Sequence, residues 1–507
     1  MDLIAKYATG QPDRPALIEG ERTFTWQTFF RTRNRLAQSL AALGVGAGQH
    51  AVIYAHNSAE NILATQALRA LGAVAVPMNH RLTADEVVYI LDHSDATAVL
   101  VGDAFLPMAE QIRGAAAPVK HWITLGAERR PWAQALQDLL ARGSDAPPPA
   151  PTAVGGSMVY TAGTTGKPKG ALRRVIDAAG LLPRLAALDC VDPAHVHLVA
   201  GPVYHSAPGG FALYAHLVGA TVVIMRKFDA EDALRHIERH RCTTTFMAPT
   251  LLKRIVDLPA DVRARYDVRS MRSIVVAAAP CPMRVKEQII AMFGPVLYEF
   301  YGSTELGVNT VLRPDDVLRK PGSCGRAAPG VEVAVFDEEG RPVPAGTPGE
   351  LFVRRYSGVF DEYYKNPAAT AQTSRGEWMS VGDVAWIDAE GFVYICDRKR
   401  DMIISGGVNI YPAEIEDVLH RHPAIEDAAV FGVPDAEWGE RVHAAVQLRA
   451  GMRAAERDII DFCRTHLADY KAPREVSFHA DFPRDTAGKL VKRLLREPYW
   501  AGRTTRV

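Results

Sequence analysis

A loop rich in glycine, threonine and lysine gives the clearest chemical signal in the sequence. It spans residues 161–170 and reads Thr-Ala-Gly-Thr-Thr-Gly-Lys-Pro-Lys-Gly, directly after a short strand-like stretch. Glycine lets backbone N–H groups approach an anion, while hydroxyl groups add donors and lysine adds charge. The loop therefore predicts a polyphosphate site, and an incidental flexible turn is the alternative. The candidate binding residues are Thr161, Gly163, Thr164, Thr165, Gly166, Lys167 and Lys169.

The spacing within this loop excludes the commonest phosphate-binding motif. A Walker A sequence has four residues between its glycines and a serine or threonine after the lysine. Here only Thr164 and Thr165 separate Gly163 from Gly166, and Pro168 follows the first lysine. A P-loop nucleotide hydrolase is therefore disfavoured.

Four later segments carry side chains that fit the same chemistry. Glu305 ends a Tyr-Gly-Ser-Thr-Glu stretch, and its carboxylate is the hard oxygen ligand that Mg²⁺ prefers. Asp383 follows a glycine, Arg398 lies in a run of charges, and Lys489 ends a Thr-Ala-Gly-Lys stretch. Each has an ordinary interpretation: a turn aspartate, solvated charges, or a surface lysine. These ordinary interpretations do not explain why all of the segments occur together and in this order along the chain.

In that order the segments resemble the adenylate-forming superfamily of acyl-CoA synthetases, luciferases and peptide-synthetase adenylation domains. The resemblance covers residues 158–489 and implies a role for each candidate. The loop 161–170 holds the β- and γ-phosphates of ATP. Tyr301 stacks on adenine, Thr304 bonds the α-phosphate, and Glu305 helps to hold Mg²⁺.

The same resemblance implies roles for the candidates nearer the C-terminus. Asp383 accepts hydrogen bonds from the ribose hydroxyls, and Arg398 contacts the ribose. Gly406 and Gly407 press against the active-site mouth and the pantetheine arm of coenzyme A. Lys489 bridges the acid's carboxylate and the α-phosphate, which suits a compact charge on a flexible stem. The positions that depart from the family's usual serine, threonine, and aspartate or lysine are Ala162, Val381 and Arg400.

Residues 203–211 resemble the lining of the acid pocket. The resemblance places His205 near the substrate carboxylate or at the thioester tunnel, and a hydrogen-bonded core histidine is the alternative. Amino-acid-activating relatives carry an aspartate here, but this segment has no acid, so an ammonium group would be buried without a partner. The small residues Ala207, Gly209 and Gly210 are expected to leave room for a chain or ring. Fatty and aryl acids both stay open, and an apolar, fatty-like acid is favoured.

The bulk composition is that of an ordinary soluble globular protein. The chain has 507 residues, 48% of them hydrophobic, and its 58 basic residues balance 58 acidic ones. This balance gives no sign of a nucleic-acid partner. The most apolar window, 211–225, is interrupted by His216 and Gly219 and is shorter than the roughly 20 residues of a membrane-spanning helix. We expect no transmembrane segment and a cytoplasmic protein, and the oligomeric state, a homodimer included, stays open.

Alternating strand-like and helix-like segments predict an α/β fold with largely parallel sheets in the first half. A strand is expected at 50–55, a helix at 59–71 and a strand at 73–76. The proline-rich segment 144–152 is expected to join an N-terminal subdomain to the segment that holds the phosphate loop. Beyond residue 321, short strands with glycine and proline turns predict a β-rich subdomain.

Two domains are expected, with the boundary at Arg400. Residues 1–399 would form a large N-terminal adenylation domain of mixed α/β subdomains plus the β-rich subdomain. Residues 400–507 would form a small, mobile α+β domain that carries Lys489. Pro412 is expected to begin a helix in that domain, because proline is tolerated in the first helical turn.

These observations together imply an AMP-forming acid–CoA ligase. It would use MgATP to convert an apolar carboxylic acid to acyl-AMP and pyrophosphate, and would then form acyl-CoA and AMP. Mg²⁺, ATP and coenzyme A are the implied cofactor and cosubstrates. Delivery of the acyl-adenylate to a carrier protein or another acceptor, and an inactive nucleotide-binding homologue, are the alternatives.

Overall fold

Two large sheets form the body of the N-terminal part of the chain. The computed structural model describes residues 2–153, 155–161, 168–174, 177–398, 401–405, 408–435, 438–484 and 490–501, with 397, 398 and 409 described by their backbone. The strands of the eight-stranded sheet, in spatial order, are Glu362–Tyr363, Lys169–Arg173, Gly156–Thr161, Val74–Pro77, His50–Tyr54, Ala96–Val101, His121–Thr124 and Gln134–Ala135. The first three strands of this series pair antiparallel with one another, and all the remaining pairs are parallel.

The second, seven-stranded sheet is also largely parallel. Its strands, in spatial order, are Leu297–Glu299, Ser273–Val276, Thr244–Met247, Val196–Val199, Thr221–Ile224, Pro15–Glu19 and Arg22–Thr25. Only the last pair, a hairpin, is antiparallel. The carboxyl ends of parallel strands commonly form the ligand-binding edge of an α/β sheet. The segments that follow these strands include residues 201–205, 248–250, 277–279 and 300–305.

Helices cover and separate the two sheets. The helices before residue 400 are Leu3–Gly10, Trp26–Ala42, Ala59–Ala70, Ala84–His93, Leu106–Ile112, Leu136–Arg142, Ala178–Ala187, Ser206–Val218, Ala230–His240, Pro249–Val256, Ala260–Arg263, Met283–Phe293, Pro314–Val317 and Pro367–Gln372, with a 3-10 turn at Asp103–Phe105. Among the described residues, no helix is both long and apolar enough to cross a membrane.

Helix Ala59–Ala70 shows how the layers are joined. Ser58 caps its start by accepting from the Asn61 N–H at 3.2 Å. Ala64 and Leu68 pack in the core of the eight-stranded sheet, while Ile62 and Leu63 pack in the core of the seven-stranded sheet. The helix is therefore buried on two sides, against the cores of both large sheets.

The β-rich subdomain follows, as the sequence predicts. Its six strands are Val333–Phe336, Gly349–Arg354, Ser374–Arg375, Trp378–Met379, Asp383–Ile387 and Val393–Arg398, all paired antiparallel. Two short hairpins precede them: Gly302–Ser303 with Gly307–Val308, and Thr310–Val311 with Arg326–Ala327.

The C-terminal part has a sheet and a core of its own. Its strands are Ile403–Ser405, Val408–Ile410, Ile425–Asp435, Gly439–Leu448 and Glu475–Phe478. Its helices are Pro412–His420, Glu456–His466 and Lys492–Trp500, with a 3-10 turn at Asp469–Lys471. The helix that begins at Pro412 was expected from the sequence. Its buried face, Ile415 and Leu419, packs with Val430 and Val442 of the two long strands.

The predicted α/β fold class, with a large N-terminal part and a small C-terminal α+β part, is confirmed. The expected strand at 50–55 and helix at 59–71 are present within a residue at each end. The proline-rich segment 144–152 leads into strand Gly156–Thr161, which precedes the phosphate loop, as expected. That strand pairs in parallel with Val74–Pro77, so the chain on both sides of the segment belongs to one sheet.

Candidate active site

The predicted phosphate loop starts and ends at one point of the eight-stranded sheet. Thr161 and Lys169 terminate two paired antiparallel strands and lie opposite each other. The Thr161 hydroxyl donates to the Lys169 carbonyl oxygen at 3.5 Å. The ammonium of Lys169 lies 5.2 Å from the centre of the Tyr363 ring. The predicted phosphate-binding residues that lie outside the described part of the chain are Gly163, Thr164, Thr165, Gly166 and Lys167.

Tyr301 and Asp383 belong to different sheets and meet at a hydrogen bond. Tyr301 follows the edge strand Leu297–Glu299, and Asp383 begins a strand of the β-rich subdomain. The Tyr301 hydroxyl donates to Asp383 Oδ2 at 2.6 Å, and Asp383 is buried. The backbone of Arg398 lies opposite Asp383 on the next strand. Three candidates that are far apart in sequence are thus brought to one place.

Thr304 is held from two sides. Its hydroxyl lies 3.0 Å from the hydroxyl of Ser206, the first residue of helix Ser206–Val218. Its carbonyl oxygen accepts a hydrogen bond of 2.8 Å from Arg173 Nη2. Arg173 ends the strand that follows the phosphate loop. The segment around Thr304 is therefore fixed to both large sheets.

Glu305 is a buried carboxylate with a dedicated donor. The Tyr363 hydroxyl donates to Glu305 Oε1 at 2.8 Å, and the Phe360 N–H donates to the Glu305 carbonyl oxygen at 2.8 Å. A carboxylate has about four lone-pair sites, so one hydroxyl donor leaves most of its acceptor capacity for a cation.

The donor set around Glu305 fits a magnesium ion that brings most of its own ligands. In the described part of the chain, no three His, Cys, Asp or Glu side chains are grouped for a metal ion. Mg²⁺ commonly uses one or two carboxylates together with phosphate oxygens and water. A single protein carboxylate beside a phosphate site is consistent with this coordination preference of Mg²⁺.

His205 lies beside the segment that carries Thr304. It occupies the N-cap position of helix Ser206–Val218, and it is only partly buried. Its ring contacts Tyr204, with 4.3 Å between the ring centres. The next residue is Ser206, which contacts Thr304. A role for His205 near the substrate carboxylate or at the thioester tunnel stays a prediction, as does the alternative of a hydrogen-bonded core histidine.

The small residues after His205 do not all provide space. A side chain at Gly209 would place its Cβ 2.3 Å from the Val203 carbonyl oxygen, so the chain itself fills that position. At Gly210 the nearest atoms are those of the Tyr214 ring at 3.5 Å, which is ordinary contact distance. The expectation that Gly209 leaves room for the substrate is thus wrong, because this glycine permits close packing.

An apolar aromatic group lies behind Tyr301. The rings of Phe211 and Phe246 are stacked with centres 5.3 Å apart, and Phe300 lies 6.1 Å from Phe211. Ala277, which directly follows strand Ser273–Val276, packs in the same cluster. His197 stacks on Phe211, and burial lowers its pKa to about 3, so its ring is neutral.

Ala278 adopts an unusual backbone conformation directly after Ala277. Its φ is +77°, in the left-handed region that favours glycine. The chain therefore carries local backbone strain in this segment.

The candidates of the C-terminal part cannot be placed. Gly406, Gly407 and Lys489 lie outside the described residues, as does the side chain of Arg398. Their described neighbours are ordered: Ser405 pairs with Val408. Arg484 forms a bridge with Leu490.

Sequence patterns did not single out three residues that hold the site. Ser206, Arg173 and Tyr363 reach Thr304 or Glu305 only through the tertiary fold. A weak signal existed for Arg173, which lies three residues after the phosphate loop. No comparable signal marked Tyr363, because it shares a polar stretch with Tyr364.

Comparison with known proteins agrees with this arrangement. The family model described as AMP-binding enzyme matches residues 4–364, and that described as AMP-binding enzyme C-terminal domain matches residues 414–489. The fatty acid–[acyl-carrier-protein] ligase ScoC of Streptomyces coeruleorubidus is 33% identical, with 99% of this chain and 96% of that protein covered. The long-chain-fatty-acid–CoA ligase FadD13 of Mycobacterium tuberculosis is 33% identical, with 98% of each covered.

A solved structure shows the same fold over nearly the whole chain. The amide bond synthetase McbA from Marinactinospora thermotolerans superposes with a TM-score of 0.88 at 26% identity, covering 98% of this chain and 99% of that one. Fold and site together define an enzyme that forms acyl-adenylates from ATP. The chain belongs to the AMP-binding enzyme family of the adenylate-forming superfamily.

Proposed function

We propose that this chain is an acid–CoA ligase that acts on an apolar carboxylic acid. The observation that carries the proposal is the fixed pair Thr304 and Glu305. One residue offers a hydroxyl held by Ser206, and the other a buried carboxylate held by Tyr363. A donor and an acceptor side by side fit a phosphate oxygen and its magnesium ion.

In the first step the substrate carboxylate attacks the α-phosphorus of ATP. An oxygen–phosphorus bond forms, the bond to the β-phosphate oxygen breaks, and pyrophosphate leaves. The protein contributes position and charge, since attack at phosphorus needs little covalent help. Asp383 and Tyr301 orient the nucleoside, Thr304 binds the α-phosphate, and Lys489 aligns the two reacting groups. Glu305 would hold Mg²⁺, which would offset the charge of the phosphates.

In the second step a thiol sulfur attacks the acyl carbon and AMP departs with the carbon–oxygen bond pair. His205 lies at the entrance to helix Ser206–Val218, where the thiol would arrive. Gly406 and Gly407 would line the approach after the C-terminal domain turns at Arg400. Such a domain movement is a conformational step that can set the turnover rate.

We propose a fatty or similarly apolar acid, and an aryl acid is the alternative. Phe211, Phe246 and Phe300 form a buried apolar cluster beside the segments after the strands, and the buried His197 that stacks on it is neutral. The relatives named for fatty acids support the same class.

For the acceptor of the acyl group, a carrier protein is the direct alternative to CoA. One relative is named for transfer to an acyl carrier protein and another for transfer to CoA, at equal identity. The test is incubation of the purified protein with MgATP and a panel of fatty and aryl acids. Each acid is supplied with CoA, with a holo-carrier protein, or with neither, and the products are read by mass spectrometry. Acyl-CoA that appears only with CoA is expected. Acyl-adenylate that accumulates and ignores CoA would overturn the ligase assignment while keeping the first step.

A further inference from the structure

The chain on both sides of residues 485–489 is anchored to one helix of the C-terminal part. That helix is Pro412–His420, and its Glu416 and His420 are four residues apart, so their side chains leave the same face. Residues 485–489 lie outside the described part of the chain, whereas the residues on either side of them are described. The contacts of these flanking residues therefore define where the segment that ends at Lys489 starts and finishes.

Asp427 anchors the chain before this segment. Its Oδ2 accepts a hydrogen bond from Arg484 Nη2, while its Oδ1 accepts from the Ala428 N–H at 2.8 Å and lies 3.1 Å from His420 Nε2. Burial alone would lower the pKa of His420, but the hydrogen bond to Asp427 raises it above its usual value. Asp427 therefore links the helix to the residue that directly precedes the segment.

Glu416 anchors the chain after the segment. Its Oε1 lies 2.8 Å from Nζ of Lys492, the first residue of helix Lys492–Trp500, and accepts from the Val430 N–H at 2.6 Å. The side chain of Glu416 is 15% exposed and that of Lys492 is 19% exposed. An ion pair that is largely shielded from water is stronger than one on open surface.

The two anchored ends are also joined to each other. Arg484 and Leu490 form an antiparallel bridge, and the Val491 N–H donates to the Pro483 carbonyl oxygen at 2.8 Å. Leu490 packs against a buried apolar cluster of the same domain. The chain therefore leaves the domain and returns to it at one fixed point on either side of Lys489.

Residues 406–407 belong to the chain just before the same helix, and their connection to it is of a different kind. Strands Ile403–Ser405 and Val408–Ile410 pair with each other and lead directly into the helix. This connection is made by the backbone. The side-chain contacts of Glu416 and Asp427 are therefore not needed to place residues 406–407.

A lysine that aligns two reacting groups needs a fixed point of origin. Its ammonium stands on a flexible stem, so the side chain alone does not determine where the charge lies. A misplacement of about 1 Å at the reacting groups can cost about 100-fold in rate. Contacts that hold both ends of the segment before and after Lys489 are therefore expected to matter for the step in which that lysine acts.

We propose that Glu416 and Asp427 are positioning residues for Lys489 in adenylate formation. Each holds one end of the segment 485–489 on helix Pro412–His420, and together they fix the point from which the lysine reaches the carboxylate and the α-phosphate. Both act through Lys489 rather than on the substrates. This inference rests on the proposed function in taking Lys489 as the residue that aligns the reacting groups.

The test measures the two half-reactions separately in the full-length protein. Acyl-adenylate formation is followed by acid-dependent exchange of pyrophosphate into ATP, and the second step by release of AMP from synthetic acyl-adenylate in the presence of CoA. Glu416→Gln and Asp427→Asn should each lower the kcat of exchange about tenfold or more. The KM for ATP should change by less than about twofold, because the contacts to ATP are kept. The second step should keep its rate.

A matched control is available on the same helix. Glu414 pairs with Lys471 at 2.7 Å rather than with the chain around Lys489, so Glu414→Gln removes the same charge from the same type of ion pair. This variant should leave both steps unchanged. Lys492→Arg keeps the charge opposite Glu416 and should retain most of the exchange rate, whereas Lys492→Met should lose as much as Glu416→Gln.

Combination with Lys489→Ala shows whether the effect acts through the lysine. Glu416→Gln should cause no further loss of exchange in the Lys489→Ala protein, because a residue that acts through the lysine then has nothing to position. An equal further loss in that protein would overturn the proposal. Equal losses in both half-reactions would also overturn it, since they would show general damage to the domain.

The same assays keep this inference apart from the proposed function, because pyrophosphate exchange needs no acceptor. If Lys489→Ala leaves exchange unchanged, the assignment of the lysine fails and this inference fails with it. If exchange needs Lys489 but is unaffected by Glu416→Gln and Asp427→Asn, only the positioning role is refuted. A protein that makes no acyl-CoA but shows the expected losses of exchange would contradict the CoA acceptor and uphold the positioning role.

Discussion

Replacement of Tyr363 by phenylalanine tests the claim that Glu305 is a positioned magnesium ligand. The change removes the hydroxyl that donates to Glu305 Oε1 at 2.8 Å and leaves the ring in place. A hydrogen bond to a charged group contributes about 1.5–3 kcal/mol, and burial of Glu305 puts this one well within that range. About 2 kcal/mol corresponds to roughly a 30-fold loss in kcat/KM for MgATP.

The neighbouring tyrosine supplies a matched control. Tyr364 donates to Asp95 Oδ2, also at 2.8 Å, but this pair is exposed and apart from the site. Tyr364→Phe should change the rate by less than about twofold, since exposed polar pairs contribute little. Adenylate formation is measured against Mg²⁺ concentration at fixed ATP. Tyr363→Phe should need more Mg²⁺ for half-maximal rate, because the carboxylate is no longer held in one orientation. Equal rates and equal Mg²⁺ dependence in the two variants would refute the reasoning.

Three further changes test other parts of the site. Lys489→Ala should lower adenylate formation at least about 100-fold while ATP binding, measured by calorimetry, is kept; unchanged adenylation would show that another residue aligns the carboxylate. Tyr301→Phe leaves buried Asp383 without the 2.6 Å donor, so the KM for ATP should rise several-fold with little change in kcat. A fall in kcat alone would argue against a binding role for this pair. Ala278→Gly should raise the thermal midpoint by about 1 °C, because glycine accepts a φ of +77° without strain. A lower midpoint would show that the alanine methyl contributes more than its strain costs.

The linear motifs could be read from the sequence because each keeps its chemistry within a few residues. A loop of glycine, threonine and lysine can be recognised without knowledge of the fold. The same holds for a carboxylate that follows Tyr-Gly-Ser-Thr. The β-rich subdomain and the helix at Pro412 were predictable for the same reason, since turn residues and helix starts are local signals.

The supports of the site were not predictable because they depend on which face of an element meets which neighbour. Tyr363 ends the strand Glu362–Tyr363 and Tyr364 follows it directly, yet their hydroxyls have different partners. One contacts Glu305 and the other Asp95, and nothing in the sequence distinguishes them. The prediction of space at Gly209 failed for a related reason. A glycine leaves space only where no other atoms occupy the position of its missing side chain, and here the Val203 carbonyl oxygen occupies it.

The strand Glu362–Tyr363 has a consequence for the protein while it is being synthesised. It covers the outer edge of Lys169–Arg173, which would otherwise present unpaired backbone groups. A nascent chain exposes that edge until residue 363 has left the ribosome, and Glu305 lacks its hydroxyl donor for just as long. The matched AMP-binding region ends at residue 364, directly after this strand. Truncations that stop short of it are expected to aggregate through the open edge, whereas a fragment that ends just beyond it already contains the covering strand.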